Sequence, residues 1–260
     1  MKKLLLLGMA VILTAALAGC GGGHDDNFVA GPGLVGIDDS VSDTAPLLRV
    51  DFVDPVLGAG TAQILSNPAS DGDIARDPVT AAFTITQSPP VLLFGVDSLD
   101  PDLPEFRAFL TFPLDGSTGQ DALPGTAAIV SATLEVFVDQ VDFASVVPTF
   151  IDLVEYPITG LAAVDFNSVP LDFRTLDFLF SDQGNFVQID ITPFLQQAQD
   201  LALLDLQTRF LIDTGGTLSA TRGPAREAVR TVHPAPRPLD NLKPNRRPSA
   251  TRPDPSTRHR

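Results

Sequence analysis

The chain reads as an all-β protein, an antiparallel β-sandwich of jelly-roll type with one short helix near residues 192–204 and disordered termini. Three observations carry that reading. Apolar residues recur with period two in short runs rich in β-branched and aromatic side chains. Proline or glycine, 23 and 20 of 260 residues, punctuates nearly every gap between those runs. The acids are almost all aspartates, which suit turns better than strand interiors.

Taken in order, the strand candidates are residues 47–53, 61–65, 81–86, 91–96, 105–114 (EFRAFLTFPL), 127–138 (AAIVSATLEVFV), 150–156 (FIDLVEY), 186–191 (FVQIDI) and 207–213 (QTRFLID). Within 127–138, Ile129, Ala132, Leu134, Val136 and Val138 are expected to face a core, and Thr133, Glu135 and Phe137 to face outward. One segment departs from strand periodicity. Thr192-Pro193 supplies an N-cap donor and a first-turn proline ahead of apolar residues at 194, 198 and 201, which predicts a short amphipathic helix across one end of the sandwich.

Charge divides the chain sharply. Residues 21–221 hold 29 acidic and five basic residues, a net of −24, whereas residues 222–260 hold ten basic and three acidic, a net of +7. So negative a body repels phosphate backbones, which argues against nucleic acid as its partner. The basic segment carries eight prolines and no phenylalanine. It is expected to be a disordered tail, either a genuine basic arm or the product of out-of-frame translation.

The start of the chain is an export signal: Lys2-Lys3, an apolar stretch to Leu17, and a small-residue exit before Cys20. The stretch is shorter than the roughly 20 residues a membrane-spanning helix needs. Leu17-Ala18-Gly19-Cys20 resembles the bacterial lipoprotein signal, and Cys20 is the single cysteine of the chain. That resemblance implies removal of residues 1–19 and acylation of Cys20, with palmitate-type chains holding the protein to the membrane. Gly21 stands where that family's inner-membrane retention signal has aspartate, which implies the outer membrane of a Gram-negative bacterium. Residues 20–33, with five glycines among positions 21–33, read as a tether, followed by a sandwich domain over 34–221 and the tail over 222–260.

Common catalytic side chains are scarce in the body. His24, His233 and His259 fall in the tether or the tail, and no lysine lies between Lys3 and Lys243. A Ser-His-Asp triad, a Cys-His pair, a histidine-held metal and a lysine Schiff base are therefore not expected within the sandwich. Carboxylate chemistry, as in glycoside hydrolysis, and calcium held by aspartates remain. The oxygen-rich turns that could take calcium are Asp71, Asp73 and Asp77, and Asp97, Asp100 and Asp102. No other cofactor is expected.

The order Arg107-Ala-Phe-Leu-Thr-Phe112, Leu123-Pro-Gly-Thr-Ala127, Ile129-Val-Ser-Ala-Thr-Leu-Glu-Val136 and Val187-Gln-Ile-Asp-Ile-Thr-Pro193 resembles the DNRLRE-type β-sandwich modules, relatives of a carbohydrate-binding family. The resemblance covers about residues 105–213 and rests on scaffold motifs. It departs from the family in two ways: the chain has no tryptophan, and the Gly-rich turn at 214–217 leads into the tail instead of a closing strand. Residues 33–52 resemble the end of such a module and are a candidate source of that strand. Sugar faces pack on aromatic surfaces, and the one tyrosine, Tyr156, is the candidate platform alongside some of the 17 phenylalanines. The sequence therefore predicts a lipid-anchored, non-catalytic envelope protein that binds or scaffolds, its partners the membrane and a glycan or an envelope protein. A surface carbohydrate-binding module is the first alternative and a carboxylate glycan hydrolase the second.

Overall fold

The longest strand, Ala128–Asp142, organises the fold. In the computed structural model, which describes residues 30–117, 120–214 and 226–235, the strands in chain order are β1 (Leu34–Asp38), β2 (Leu47–Asp54), β3 (Gly58–Leu65), β4 (Gly72–Arg76), β5 (Phe83–Gln87), β6 (Val91–Val96), β7 (Glu105–Pro113), β8 (Ala128–Asp142), β9 (Val146–Val154), β10 (Asp172–Leu179), β11 (Asn185–Asp190), β12 (Asp205–Ile212), β13 (Arg226–Glu227) and β14 (Arg230–Pro234). Among the described residues one α-helix, α1 (Thr192–Asp200), lies between β11 and β12. The strands join in the order β13-β10-β9-β12-β7-β6-β1-β8-β11-β14, with β2 and β3 attached through β8, and β4 and β5 through β7. This is the curled, sandwich-like all-β architecture that the periodicity predicts.

Strand β8 passes from one layer to the other. Its first half pairs with β2 and β11, its second half with β1, and the register slips between Ile37↔Val138 and Gly36↔Gln140. A second slip lies between Asp51↔Ser131 and Phe52↔Ile129, which leaves Val130 outside the ladder and 63% exposed. Such bulges bend a strand and let it turn a corner between sheets. The second one also shifts the alternation by one residue, so Ile129 and Ala132 both point inward. Leu134, Val136 and Val138 follow them into the core, as their spacing predicts. Where β6 passes the chain at Gly33, Gly95 is obligatory: its φ is +111°, and a Cβ there would sit 2.0 Å from the Gly33 carbonyl oxygen.

The main core fills the space between the layers, with Val35, Leu48, Phe94, Leu134, Phe178 and Phe210 no more than 0% exposed. Phe94 meets Phe178 edge-on at 5.3 Å between centroids. A second, smaller core of Ile74, Phe109, Val154, Tyr156, Leu161 and Phe166 lies outside the layer that holds β7 and β9, beneath the segment 155–168. Arginines pin that segment: Arg209 donates to the carbonyls of Asp165 and Phe166 at 3.0 Å, and Arg107 lies 3.8 Å over the Phe166 ring.

Several expectations need correction. The periodicity passes over β1, β4 and β10; β4 is short and opens on Gly72-Asp73, while β10 carries Asp172 and Asp177 in its run. Thr192 is not the N-cap, which falls at Ile191 without a side-chain cap bond. Its hydroxyl instead donates to Asp190 at 2.6 Å and accepts the Ala132 amide at 2.9 Å, tying the helix to β8. α1 ends at Asp200, and Leu201 beyond it is 49% exposed.

The largest correction concerns the tail. Part of the stretch read as disordered belongs to the sheets: β13 pairs parallel with β10, and β14 pairs with β11 from Asn185↔Pro234 to Ile189↔Arg230. The sandwich therefore extends past residue 221. The strand that closes β11 comes from this segment, whereas β1, from the N-terminal stretch, is inserted between β6 and β8.

Candidate binding face

The layer formed by β3, β2, β8, β11 and β14 has one face on the core and one on solvent. Period-two alternation sends Val187 and Ile189 inward and Phe186, Gln188 and Asp190 to the other face, where Phe186 is covered down to 7% exposure with His233 stacked on it. The same holds on β8, where Thr133, Glu135 and Phe137 occupy the outer face. Register then lines these residues up across strands. Phe137, Phe186 and His233 form one row, Glu135, Gln188 and Thr231 the next, and Arg49, Thr133 and Asp190 a third.

Each row has its own chemistry. In the aromatic row, His233 stacks on Phe186 at 5.4 Å with 14° between planes, and Phe137 meets Phe186 edge-on at 5.3 Å. In the middle row the Gln188 amide donates to Glu135 Oε1 at 2.8 Å and accepts the Thr231 hydroxyl at 2.8 Å. The Arg49 guanidinium lies 3.5 Å from the same Glu135 oxygen, with its side chain 44% exposed. Arg49, Thr133, Glu135, Gln188 and His233 together line a depression of about 460 Å³. It offers a cationic donor, a carboxylate, an amide, a hydroxyl and an imidazole within one concavity. A second depression, of about 290 Å³, lies between Leu114, Leu123, Gln199 and Leu204 near the end of α1.

Sequence reasoning missed this face because two of its members, Thr231 and His233, lie in the stretch read as a tail. The outward phase of Glu135 and Phe137 was the one signal available for it.

Tyr156 is not part of this surface. It is 5% exposed in the smaller core, edge-on to Phe109 at 5.5 Å, with its hydroxyl 2.7 Å from that of Thr111. The strand just before it, β9, buries both faces here, so the candidate aromatic platform is an interior residue. Burial drives its phenol well above its ordinary pKa, and the charge of Asp71 acts in the same direction.

The calcium candidates are held in separate turns and ladders. Asp71 and Asp77 lie at opposite ends of β4, about 20 Å apart at ~3.3 Å per residue, too far to share an ion. Asp71 and Asp73 each spend an oxygen on a neighbouring strand's amide, Thr111 at 2.6 Å and Leu93 at 3.2 Å. Asp77 caps its own turn through the amides of Val79 and Thr80. Asp97 accepts the amides of Leu99 and Asp100, and Asp100 accepts that of Asp102, the pattern of self-satisfied aspartate turns. Among the described residues no group of three or more His, Cys, Asp or Glu side chains converges as a metal requires. Cys20 lies outside the described residues.

Asp71 lies instead beside Asp39, the residue after β1, with Ser66 next to both. Asp39 is 2% exposed and Asp71 0%. The Ser66 hydroxyl donates to Asp39 Oδ1 at 3.1 Å, and Asp39 Oδ2 and Asp71 Oδ2 are both buried with no hydrogen-bonding partner. Desolvation raises the Asp39 pKa to about 7 and drives that of Asp71 well above the carboxylate range.

No protein-family model, no curated protein and no solved structure matches the chain.

Proposed function

We propose that the chain is a lipid-anchored, non-catalytic binding or scaffolding domain of the cell envelope, and that its ligand surface is the outer face of β2, β8, β11 and β14. The observation that carries this reading is the depression lined by Arg49, Thr133, Glu135, Gln188 and His233, beside the Phe137–Phe186–His233 row. Paired donors and acceptors next to an aromatic edge suit a hydroxyl-rich ligand, whose OH groups each give and take hydrogen bonds and whose C–H faces pack on rings. A glycan is the ligand of first choice. The resemblance of residues 105–213 to a module family with carbohydrate-binding relatives points the same way, and the anchor rests on the signal ending in Cys20.

Among the described residues, Asp39 and Asp71 are a convergent pair of carboxyls that the hydrolase alternative could draw on. Acids that flank a scissile glycosidic bond face an open cleft. These two are sealed from solvent, so the pair lends that alternative little support.

The test is a glycan and polysaccharide binding screen on protein beginning at Gly21, with Gln188→Ala and His233→Ala beside it. Saturable binding to one glycan class, weakened about tenfold or more by either substitution at unchanged melting temperature, is the expected result. Folded protein that binds no glycan, or variants that bind as the parent does, would sink the assignment of this face.

A further inference from the structure

We propose that Asp39 and Asp71 form a carboxyl–carboxylate pair held together by one shared proton, and that loss of this proton loosens the joint between the β1–β2 and β3–β4 connections. Two residues from distant parts of the sequence are brought together here. Asp39 follows β1 directly and donates its amide to the Pro90 carbonyl at 2.9 Å, and Asp71 precedes β4 and accepts the Thr111 amide of β7 at 2.6 Å. The two connections also meet through the Ser66 amide, which donates to the Pro46 carbonyl at 3.0 Å.

The free oxygens of the two carboxyls leave a place for the proton. Each carboxyl spends Oδ1 on a donor, Ser66 for Asp39 and Thr111 for Asp71, and each leaves Oδ2 buried with no partner. The groups acting on the pair are Asp38 on β1, Ser66 after β3 and Thr111 on β7; the charge of Asp71 bears on the Tyr156 phenol, and Asp73, itself raised by burial, lies two residues further along β4. None is a cation. Two adjacent buried carboxylates without a counter-charge are strongly disfavoured, whereas one proton between the two free oxygens makes a hydrogen bond and removes one charge. The pair titrates as a unit.

The sign of the effect follows from linkage. Burial raises the folded-state pKa of both groups above the unfolded value of 3.8, to about 7 for Asp39. The folded protein therefore binds more protons than the unfolded chain between about pH 4 and 7, and stability from this source is lost as pH rises through that window. Ordinary carboxylates have finished titrating by pH 5.5; Asp73 and Asp205, also raised by burial, act in the same direction, and the comparison with Asp39→Asn separates the pair from them.

The experiment compares thermal unfolding of the parent protein and Asp39→Asn between pH 5 and 8, each with 2 mM calcium or with chelator. An asparagine amide supplies permanently the hydrogen that the shared proton supplies reversibly. The parent is expected to lose ~5 °C or more over this range. Asp39→Asn is expected to lose less than half as much and to melt above the parent at pH 8. Parallel pH profiles would overturn the proposal. So would a calcium-induced rise in the parent's melting temperature at pH 8 that Asp39→Asn lacks, because the occupant would then be a metal ion. If Asp39→Asn does not fold, Asp71→Asn and carboxyl-carbon NMR of the parent decide: two aspartate resonances are expected to titrate together above pH 5.5, and their absence refutes the pair.

Discussion

Arg209 and Asp152 face each other from β12 and β9 with a guanidinium–carboxylate distance of 2.5 Å, at 1% and 0% side-chain exposure. The guanidinium also donates to the carbonyls of Asp165, Phe166 and Ser168, so one side chain neutralises a buried acid and satisfies the backbone of the segment that roofs the smaller core. Arg209→Ala would take the 2.5 Å ion pair from the buried Asp152 carboxylate and the donors from those carbonyls together. A loss of ~3–5 kcal/mol is expected from urea unfolding. A loss under 1 kcal/mol would show that the roof is held by its apolar contacts alone.

Tyr156→Phe separates an interior role from a ligand-binding one. The substitution removes one buried hydrogen bond, to Thr111, and keeps the ring against Phe109. It should cost about 1 kcal/mol in stability and leave glycan affinity unchanged. A change in affinity at constant stability would return Tyr156 to the binding surface.

A chain ending at Thr214 lacks β13 and β14. It loses the ladder along β11, the imidazole on Phe186, and the Arg230 contacts to the buried Asp182 carboxylate and the Asp177 carbonyl. The urea midpoint is expected to fall, with the slope on urea reduced as less surface is buried. An unchanged midpoint would mean that residues 226–234 add nothing to the folded domain.

Acid should destabilise the protein by a separate route. Asp54 is held below the ordinary carboxylate pKa, first by the Thr126 hydroxyl and then by the amides of Leu57 and Val56; Asp51 is lowered by the cross-strand hydroxyls of Thr61 and Ser131, and Asp77 and Asp115 by hydrogen bonds within their own turns. A depressed folded-state pKa gives stability that is present above pH ~4 and lost as pH falls through the folded value. Asp54→Asn should therefore flatten the melting-temperature curve below pH 4 and leave its slope between pH 5 and 8 untouched. A change confined to the upper range would contradict this.

The strands legible in the sequence were those whose alternation decides burial locally. Residues 127–138 illustrate it: Leu134, Val136 and Val138 go to the core and Thr133, Glu135 and Phe137 do not. Strands such as β10 and β14 were illegible for the opposite reason. Their runs hold Asp, Arg, His or Pro, and what orders them is a partner strand already in place: β9 and β13 for β10, β11 for β14. The binding face was half legible, since the outward phase of Glu135 and Phe137 can be read locally, but their neighbours His233 and Arg49 are about a hundred residues away.

The amino-acid sequence by itself determined the all-β class, the one helix and the acidic body, because period, turn residues and charge act over a few neighbouring positions. Only the tertiary structure decided that Tyr156 is interior, that Asp71 belongs with Asp39 and not with Asp73 and Asp77, and that part of the basic segment closes the sheet. The physical reason is shared: burial, desolvation and cross-strand register depend on which distant segments meet.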